Sequence, residues 1–135
     1  MPKRPTRLVI DTDGGIDDAL ALVLALRSPE EVDLVGVSTV SGNVSVGQAT
    51  LNVLRVVELF DHQNIWIAKG AGNPLVRDPI RATSFHGVDG LGDSNLPPPK
   101  LHGSKDDAIQ LLKDQLTSEK VRGLTIGAIG PLTNI

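Results

Sequence analysis

Hydrophobic positions along the chain follow two different periods, which predict alternating strands and helices. Short apolar runs rich in Val, Ile and Leu end at polar or glycine-containing turns and predict four strands, over residues 7–11, 32–40, 64–69 and 124–129. Apolar residues three or four positions apart predict three helices, over residues 16–27, 45–60 and 104–116. The segment 71–103 follows neither period, and a loop of that length is usually functional or disordered.

Local signals mark the ends of the predicted helices. The first helix begins with Asp17 and Asp18, whose charges favour a helix N-terminus, and Pro29 follows its end. This helix is apolar almost all round, so we expect it to be largely buried. Ser104 and Asp107 are predicted to cap the third helix.

The order of the elements predicts the fold class. Strands that alternate with helices imply right-handed crossovers, and hence a Rossmann-like α/β fold with a mainly parallel sheet and helices on both faces. Polar residues follow the carboxyl ends of the strands, the edge at which open α/β sheets bind ligands. With the strand order 3-2-1-4, the binding point lies between strands one and four. The chain stops within residues 130–135, where a further helix would start, so we expect residues 1–135 to be the N-terminal part of a single domain, truncated after its fourth strand.

Composition and charge exclude several classes of function. The chain has 135 residues, 13 basic and 16 acidic side chains, a net charge of −3 and no Cys. Without Cys, it has no disulfide, thiolate nucleophile or Cys-ligated metal. Scattered basic residues and only three aromatic side chains argue against nucleic-acid binding. The apolar blocks are too short for a membrane span or a signal peptide, so we expect a soluble, cytoplasmic protein.

Four carboxylates lie within eight residues where the first strand meets the first helix: Asp11, Asp13, Asp17 and Asp18. Two unit charges 4 Å apart repel by about 4 kcal/mol at an effective dielectric of 20, so a partly buried cluster shares protons or binds a cation. The two glycines between them allow a sharp turn, and irregular all-oxygen ligation suits Ca²⁺ best and Mg²⁺ next. Helix capping explains single Asp residues, but it does not require Asp11 and Asp13 as well.

At these residues, DTDGGIDD, the sequence resembles the opening motif DTDPGxDD of the inosine–uridine-type nucleoside hydrolases. The similarity continues in family order through Ser41-Gly42-Asn43 and the segments 71–75, 86–93 and 130–134, matching less than half of a family member. Gly14 stands where the family has Pro, and we expect it to loosen the loop. The resemblance implies Ca²⁺-dependent hydrolysis of the N-glycosidic bond of ribonucleosides to ribose and free base, as in purine and pyrimidine salvage.

The resemblance also implies roles for individual residues. Asp13 and Asp18 match Ca²⁺ ligands, and Asp13 also matches the general base that deprotonates the attacking water. Asp17 matches a ribose-hydroxyl ligand, and the carbonyl of Ile129 matches a backbone ligand of Ca²⁺. Asn43 lies at the ribose edge of the family's pocket.

Two further roles concern the surroundings of the predicted pocket. His86 lies on a loop that reaches towards the nucleobase, although a loop histidine bonded only to backbone is an equal alternative. Asp11 is inferred to support the loop and its charge balance. The final Asp ligand of the family has no counterpart here, so we expect the chain alone to be weakly active or inactive unless a second chain or a homo-oligomer supplies the rest.

Two other functions fit parts of the same pattern. A haloacid-dehalogenase-type phosphatase would use Asp11 as its nucleophile in DxDG, although Gly15 and the following Asp pair depart from that motif. A noncatalytic fragment or assembly module would retain the fold and some metal binding without turnover. Arg77 and Arg81 are interpreted as ordinary loop charges, and Asp89 and Asp93 as turn residues.

Overall fold

The computed structural model describes residues 4–60, 64–105, 107–118 and 123–135. Four strands alternate with helices along the chain. The strands are β1 (Thr6–Thr12), β2 (Val32–Thr39), β3 (Trp66–Lys69) and β4 (Thr125–Ala128). The helices are α1 (Ile16–Leu26), α2 (Val46–Glu58), the single turn α3 (Thr83–His86) and α4 (Ala108–Thr117), and a 3-10 turn covers Leu132–Asn134.

The sheet is parallel throughout and has the order β3-β2-β1-β4, as predicted. Its register places the strand ends side by side: Asp11 pairs with Ser38 of β2 and with Ala128 of β4. The loops that follow the strands therefore meet at one edge. This edge contains the acidic motif.

The core lies where α1 and α2 contact each other and cover one face of the sheet. Buried side chains from both helices pack on the strands there, among them Leu22, Val53, Val57, Val37 and Ile67. Helix α4 contacts β2 and β3. Because its crossover runs back from β3 to β4, a right-handed connection places α4 on the opposite face. The fold class is therefore confirmed.

Helix α1 is not largely buried, contrary to expectation. Leu20 and Leu24 are 66% and 69% exposed, because α1 packs on the sheet and α2 along one side only. A cavity of about 350 Å³, lined in part by Leu24, Gly127 and Ile129, lies between α1 and the part of the sheet formed by β1 and β4. The continuous apolar pattern of α1 therefore does not predict how much of the helix is buried in the described part of the chain.

Ser104 does not cap α4, and this prediction was wrong. The helix begins at Ala108 and its N-cap is Asp107, whose side chain accepts a hydrogen bond from the Ile109 amide at 2.8 Å. The Ser104 amide donates to the Ile67 carbonyl at 2.7 Å, which ties this segment to β3.

None of the helices in the described ranges is long and apolar enough to cross a bilayer.

Gly36 in β2 makes room for the indole ring of Trp66 on β3, because a Cβ at position 36 would overlap the ring. We expect Gly36→Ala to lower the free energy of unfolding by about 1–3 kcal/mol through overpacking. Gly47→Ala is the matched control, since a Cβ there meets nothing within 4 Å; it should be neutral or stabilising by up to about 1 kcal/mol. Urea denaturation measures both, and equal effects of the two variants would contradict the packing argument.

Candidate metal and substrate site

The loop between β1 and α1 turns the acidic motif back on itself. The Thr12 hydroxyl donates to Asp18 Oδ1 at 2.7 Å and accepts from the Gly14 amide at 3.1 Å. The Gly15 amide donates to Asp18 Oδ2 at 3.0 Å. These three bonds hold the Asp18 carboxylate, from the first turn of the helix, against the end of the strand.

Gly14 adopts a φ of +71°, and a Cβ there would lie 2.7 Å from the Ala49 Cα. Proline holds φ near −65°, so the loop has a conformation that the family's Pro could not adopt. A proline at position 14 would therefore require a different backbone path in this loop, whereas the loosening expected from Gly14 stays a prediction.

Asn43 holds both oxygens of Asp13. Its amide donates to Asp13 Oδ2 at 2.8 Å, and its side-chain Nδ2 donates to Oδ1 at 2.9 Å. Gly42 lies so close to Asp13 that a Cβ on it would overlap the carboxylate. The turn after β2 therefore fixes the position of the Asp13 carboxylate.

Asp18 is 2% exposed and Asp13 is 6% exposed, and the two carboxylates are neighbours. Burial first, and then the neighbouring Asp13, raise the pKa of Asp18 to a net value of about 6, although hydrogen bonds from the Thr12 hydroxyl and the Gly15 amide act to lower it. The two buried carboxylates thus lie next to each other, and their protein neighbours supply too little positive charge to balance them. A cation or a proton would relieve this repulsion.

The raised pKa of Asp18 makes stability depend on pH. Its carboxyl holds a proton more tightly in the folded chain than at its ordinary value of 3.8, so its contribution is greatest below pH 4 and is lost as pH rises through about 6. A shift of this size corresponds to about 3 kcal/mol. Denaturation of the metal-free chain from pH 4 to 7 should show this loss, and Asp18→Asn should lack it. Identical slopes for the two proteins would contradict the assignment.

Asp11 lies behind this pair and is fully buried. Its Oδ1 accepts from the Ser38 hydroxyl at 2.5 Å and from Asn134 Nδ2 at 2.8 Å, whereas Oδ2 has no hydrogen-bond partner among the described residues. Burial raises its pKa, and the bonds from Asn134 and Ser38 act in the opposite direction. These contacts join Asp11 to β2 and to the segment after β4, and its supporting role stays a prediction.

Asn134 links three strand ends and was missed as a site residue by the sequence reasoning. Besides Asp11, its Nδ2 donates to the Thr39 carbonyl at 3.0 Å, and its Oδ1 accepts from the Ala71 amide at 2.8 Å. Its place in the segment after β4, at the same edge as the acidic motif, was the available signal.

The segment after β4 lies directly beside the motif. The amides of Ile129 and Gly130 donate to the Asp11 carbonyl at 2.9 and 3.2 Å. A Cβ on Gly130 would lie 2.9 Å from the Asp13 amide nitrogen. Ile129 and Gly130 thus lie beside the backbone of the acidic motif, and the role of the Ile129 carbonyl as a ligand stays a prediction.

His86 reaches the site from the long loop. Its Nδ1 accepts from the Ile16 amide at 3.2 Å and lies 3.8 Å from Asp17 Oδ1. In the neutral ring the proton is therefore on Nε2. The Asp17 side chain is 80% exposed and that of His86 only 19%. A Cβ on Gly15 would lie within 3.0 Å of His86 Cε1, Asp18 Oδ2 and Asn43 Nδ2, so these groups converge on Gly15.

The buried Asn52 side chain joins the long loop to the motif, donating to the carbonyls of Gly14 at 3.0 Å and Asp89 at 2.7 Å. The Asp89 side chain accepts from the amides of Leu91 and Asp93 at 2.7 and 2.9 Å. Desolvation is the largest single influence and raises the pKa of Asp89, but the backbone donors together outweigh it, so the pKa lies below its usual value. Asp89 is a turn residue, as predicted.

The donor set at this edge fits part of an oxygen-ligated cation site. Asp13 and Asp18 supply neighbouring buried carboxylates, the ligands that Ca²⁺ and Mg²⁺ prefer. Within the ranges that the structure describes, no three His, Asp or Glu side chains are grouped so that they could hold a metal. The described residues therefore fit a cation with two carboxylates, and further ligands must come from backbone, substrate or water.

A parallel sheet with acidic side chains just beyond the C-terminal ends of its strands is typical of α/β domains that bind a ligand or catalyse a reaction. The chain belongs to the inosine-uridine preferring nucleoside hydrolase family, whose family model matches residues 8–135. It is 42% identical to uridine nucleosidase 1 of Arabidopsis thaliana, over 96% of this chain and 38% of the relative. It is 40% identical to the pyrimidine-specific ribonucleoside hydrolase RihA of Klebsiella pneumoniae, over 95% of this chain and 40% of the relative.

Solved structures agree with this assignment. The purine-preferring ribonucleoside hydrolase from Gardnerella vaginalis superposes with a TM-score of 0.87 at 30% identity, over 95% of this chain and 41% of that one. The predicted match to only part of a family member is therefore confirmed. The phosphatase alternative is wrong, because the family differs and because the carboxylate of Asp11, the nucleophile it requires, is fully buried.

Proposed function

We propose that this chain provides the cation- and ribose-binding part of a ribonucleoside hydrolase, which cleaves the N-glycosidic bond to give ribose and a free base. The observation that carries the proposal is the buried pair Asp13 and Asp18 at the carboxyl edge, with both oxygens of Asp13 held by Asn43. Membership of the family supports this reaction class. The names of the relatives include both uridine and purine preferences, so we assign no base.

In this proposal, Asp13 takes the proton from the attacking water. Its carboxylate is held rigidly by Asn43, and a positioned base of this kind contributes a factor of about 10²–10⁴ to rate. Negative charge beside the sugar also favours the oxocarbenium-like transition state of glycosidic cleavage. Ca²⁺, held by Asp13, Asp18 and the Ile129 carbonyl, would lower the pKa of a bound water and orient the ribose diol.

The exposed groups at the edge bind the substrate. Asp17 extends into solvent and is free to accept hydrogen bonds from ribose hydroxyls. His86 offers its Nε2–H towards the nucleobase, since Nδ1 is occupied by the Ile16 amide. A cavity of about 570 Å³ opens beside Gly42, between the loop 74–81 and residues 131–133, but Asp13, Asp17 and His86 do not line it, so it is not assigned to the substrate.

We propose further that residues 1–135 belong to one catalytic domain whose other ligands lie outside them. The chain spans about 40% of the length of the relatives it matches. The exposed Leu20 and Leu24 of α1 support a covering element, either within the same polypeptide or from a partner chain.

A second candidate is a cation-binding module without turnover. The observation that favours it is that only two buried carboxylates converge in the described residues. This candidate predicts Ca²⁺ binding without ribose release, whereas the hydrolase predicts Ca²⁺ binding with ribose release that is slow in this chain alone.

Two measurements on the chain test these candidates. Titration calorimetry should show one Ca²⁺ bound, and a reducing-sugar assay with uridine and inosine should show ribose release that is slow and lost on chelation. Absence of Ca²⁺ binding would exclude both candidates. Ribose release that persists in excess chelator would exclude the calcium-dependent hydrolase.

A further inference from the structure

The turn after β2 presents Asn43 to Asp13, and the long loop clamps this turn from outside. Arg81 Nη1 donates to the Ser41 hydroxyl at 2.6 Å and to the carbonyls of Gly42 and Val44 at 3.2 and 3.0 Å. The next amide, of Ala82, donates to the Asn43 carbonyl at 3.1 Å. All four residues of the turn are therefore contacted from two adjacent positions of one loop.

The charge of Arg81 is directed at neutral oxygens. No ion pair involves Arg81 in the ranges the structure covers, and its side chain contacts a hydroxyl and two carbonyls instead. Charge-assisted hydrogen bonds are shorter and stronger than neutral ones. A planar guanidinium also fixes direction better than a flexible ammonium. Arg81 is thus well suited to hold the backbone of a tight turn.

We propose that Arg81 is a positioning residue for the Asp13 site. By fixing residues 41–44, it keeps the Asn43 amide and side chain aligned on the two oxygens of Asp13. The structural claim is independent of the proposed function, and only its effect on cation affinity rests on that function. The sequence alone indicates an ordinary loop charge for Arg81, whereas the structure shows that it makes specific contacts with the turn.

Arg77 provides a matched comparison in the same loop. It is exposed, and among the described residues it takes part in no hydrogen bond or ion pair. Arg77→Met therefore removes the same charge and a similar volume from the same segment without touching the turn. Arg81→Lys keeps the charge and loses the planar fork.

The test uses the full chain, with hydrogen exchange of the Asn43 amide and Ca²⁺ affinity by calorimetry as readouts. Arg81→Met should speed Asn43 exchange and weaken Ca²⁺ binding by about tenfold, the usual size of an outer-shell effect. Arg81→Lys should restore part of both losses. Arg77→Met should change neither by more than about twofold, within the range of surface substitutions.

Ser41→Ala tests the same clamp from the acceptor side and keeps the proposal testable if Arg81→Met does not fold. It removes one of three acceptors and should speed Asn43 exchange less than Arg81→Met does. Unchanged exchange in both Arg81→Met and Ser41→Ala, or equal acceleration in Arg77→Met, would overturn the proposal. If the wild-type chain binds no Ca²⁺, the proposed function fails, while Asn43 exchange still decides the role of Arg81.

Discussion

Replacing Asp13 with Asn is expected to weaken Ca²⁺ binding to the chain by at least about tenfold, since even outer-shell changes cost about 10–100-fold in metal affinity. The substitution removes a unit of charge from a buried pair and leaves one Asn43 donor without an acceptor. Ribose release should fall by about 10²-fold or more if Asp13 is the base. Calorimetry and the reducing-sugar assay measure the two losses separately.

The fold should survive this change. Removing the Asp13 charge also removes its repulsion of Asp18, so the pKa of Asp18 should fall, which NMR titration can follow. Asp33→Asn is the control, because Asp33 is an exposed carboxylate paired with Arg7 at 3.6 Å, in β2. An Asp13→Asn chain that binds Ca²⁺ as tightly as the wild type would exclude Asp13 as a ligand.

Restoring the family's Pro at position 14 is expected to destabilise this chain by about 2–4 kcal/mol, by strain, overpacking and a lost hydrogen bond. Gly14 has a φ of +71°, donates its amide to Thr12 and lies against Ala49. Proline can satisfy none of these conditions without a change of backbone path. Urea denaturation and Ca²⁺ affinity should both show the loss.

Gly14→Asn separates overpacking from the other two causes, strain and the lost hydrogen bond. Asn tolerates positive φ and keeps the amide, so only the contact of its Cβ with Ala49 remains, and its loss should be smaller than that of Gly14→Pro. If Gly14→Pro leaves the midpoint unchanged or raises it, the loop in solution follows a path compatible with proline. The positive φ at Gly14 would then be incorrect.

The sequence predicted the elements and their order because both depend on local signals. Periodicity located the strands, and the right-handed crossover rule limited the topology to few choices. The acidic motif was visible because its four carboxylates are close in sequence. Its partner Asn43 was found through the resemblance, and the structure adds that both of its donors hold Asp13.

What could not be predicted depends on contacts between distant positions. Arg81 and Asn134 act on the turn after β2 and on Asp11, which lie far from them along the chain, and no local pattern marks such a pairing. The prediction that α1 is largely buried failed for a related reason. An apolar pattern states what a helix can cover, but only tertiary packing decides which of its sides is covered.

The bond between Asn134 and Asp11 spans 123 residues, nearly the whole chain. Contacts of such long sequence separation form late, because the intervening chain must first be ordered. The edge that carries the proposed cation site should therefore assemble only after β4 has docked, near the end of folding. A bound cation would then slow unfolding much more than it speeds folding, because it stabilises the finished sheet and not the transition state for folding.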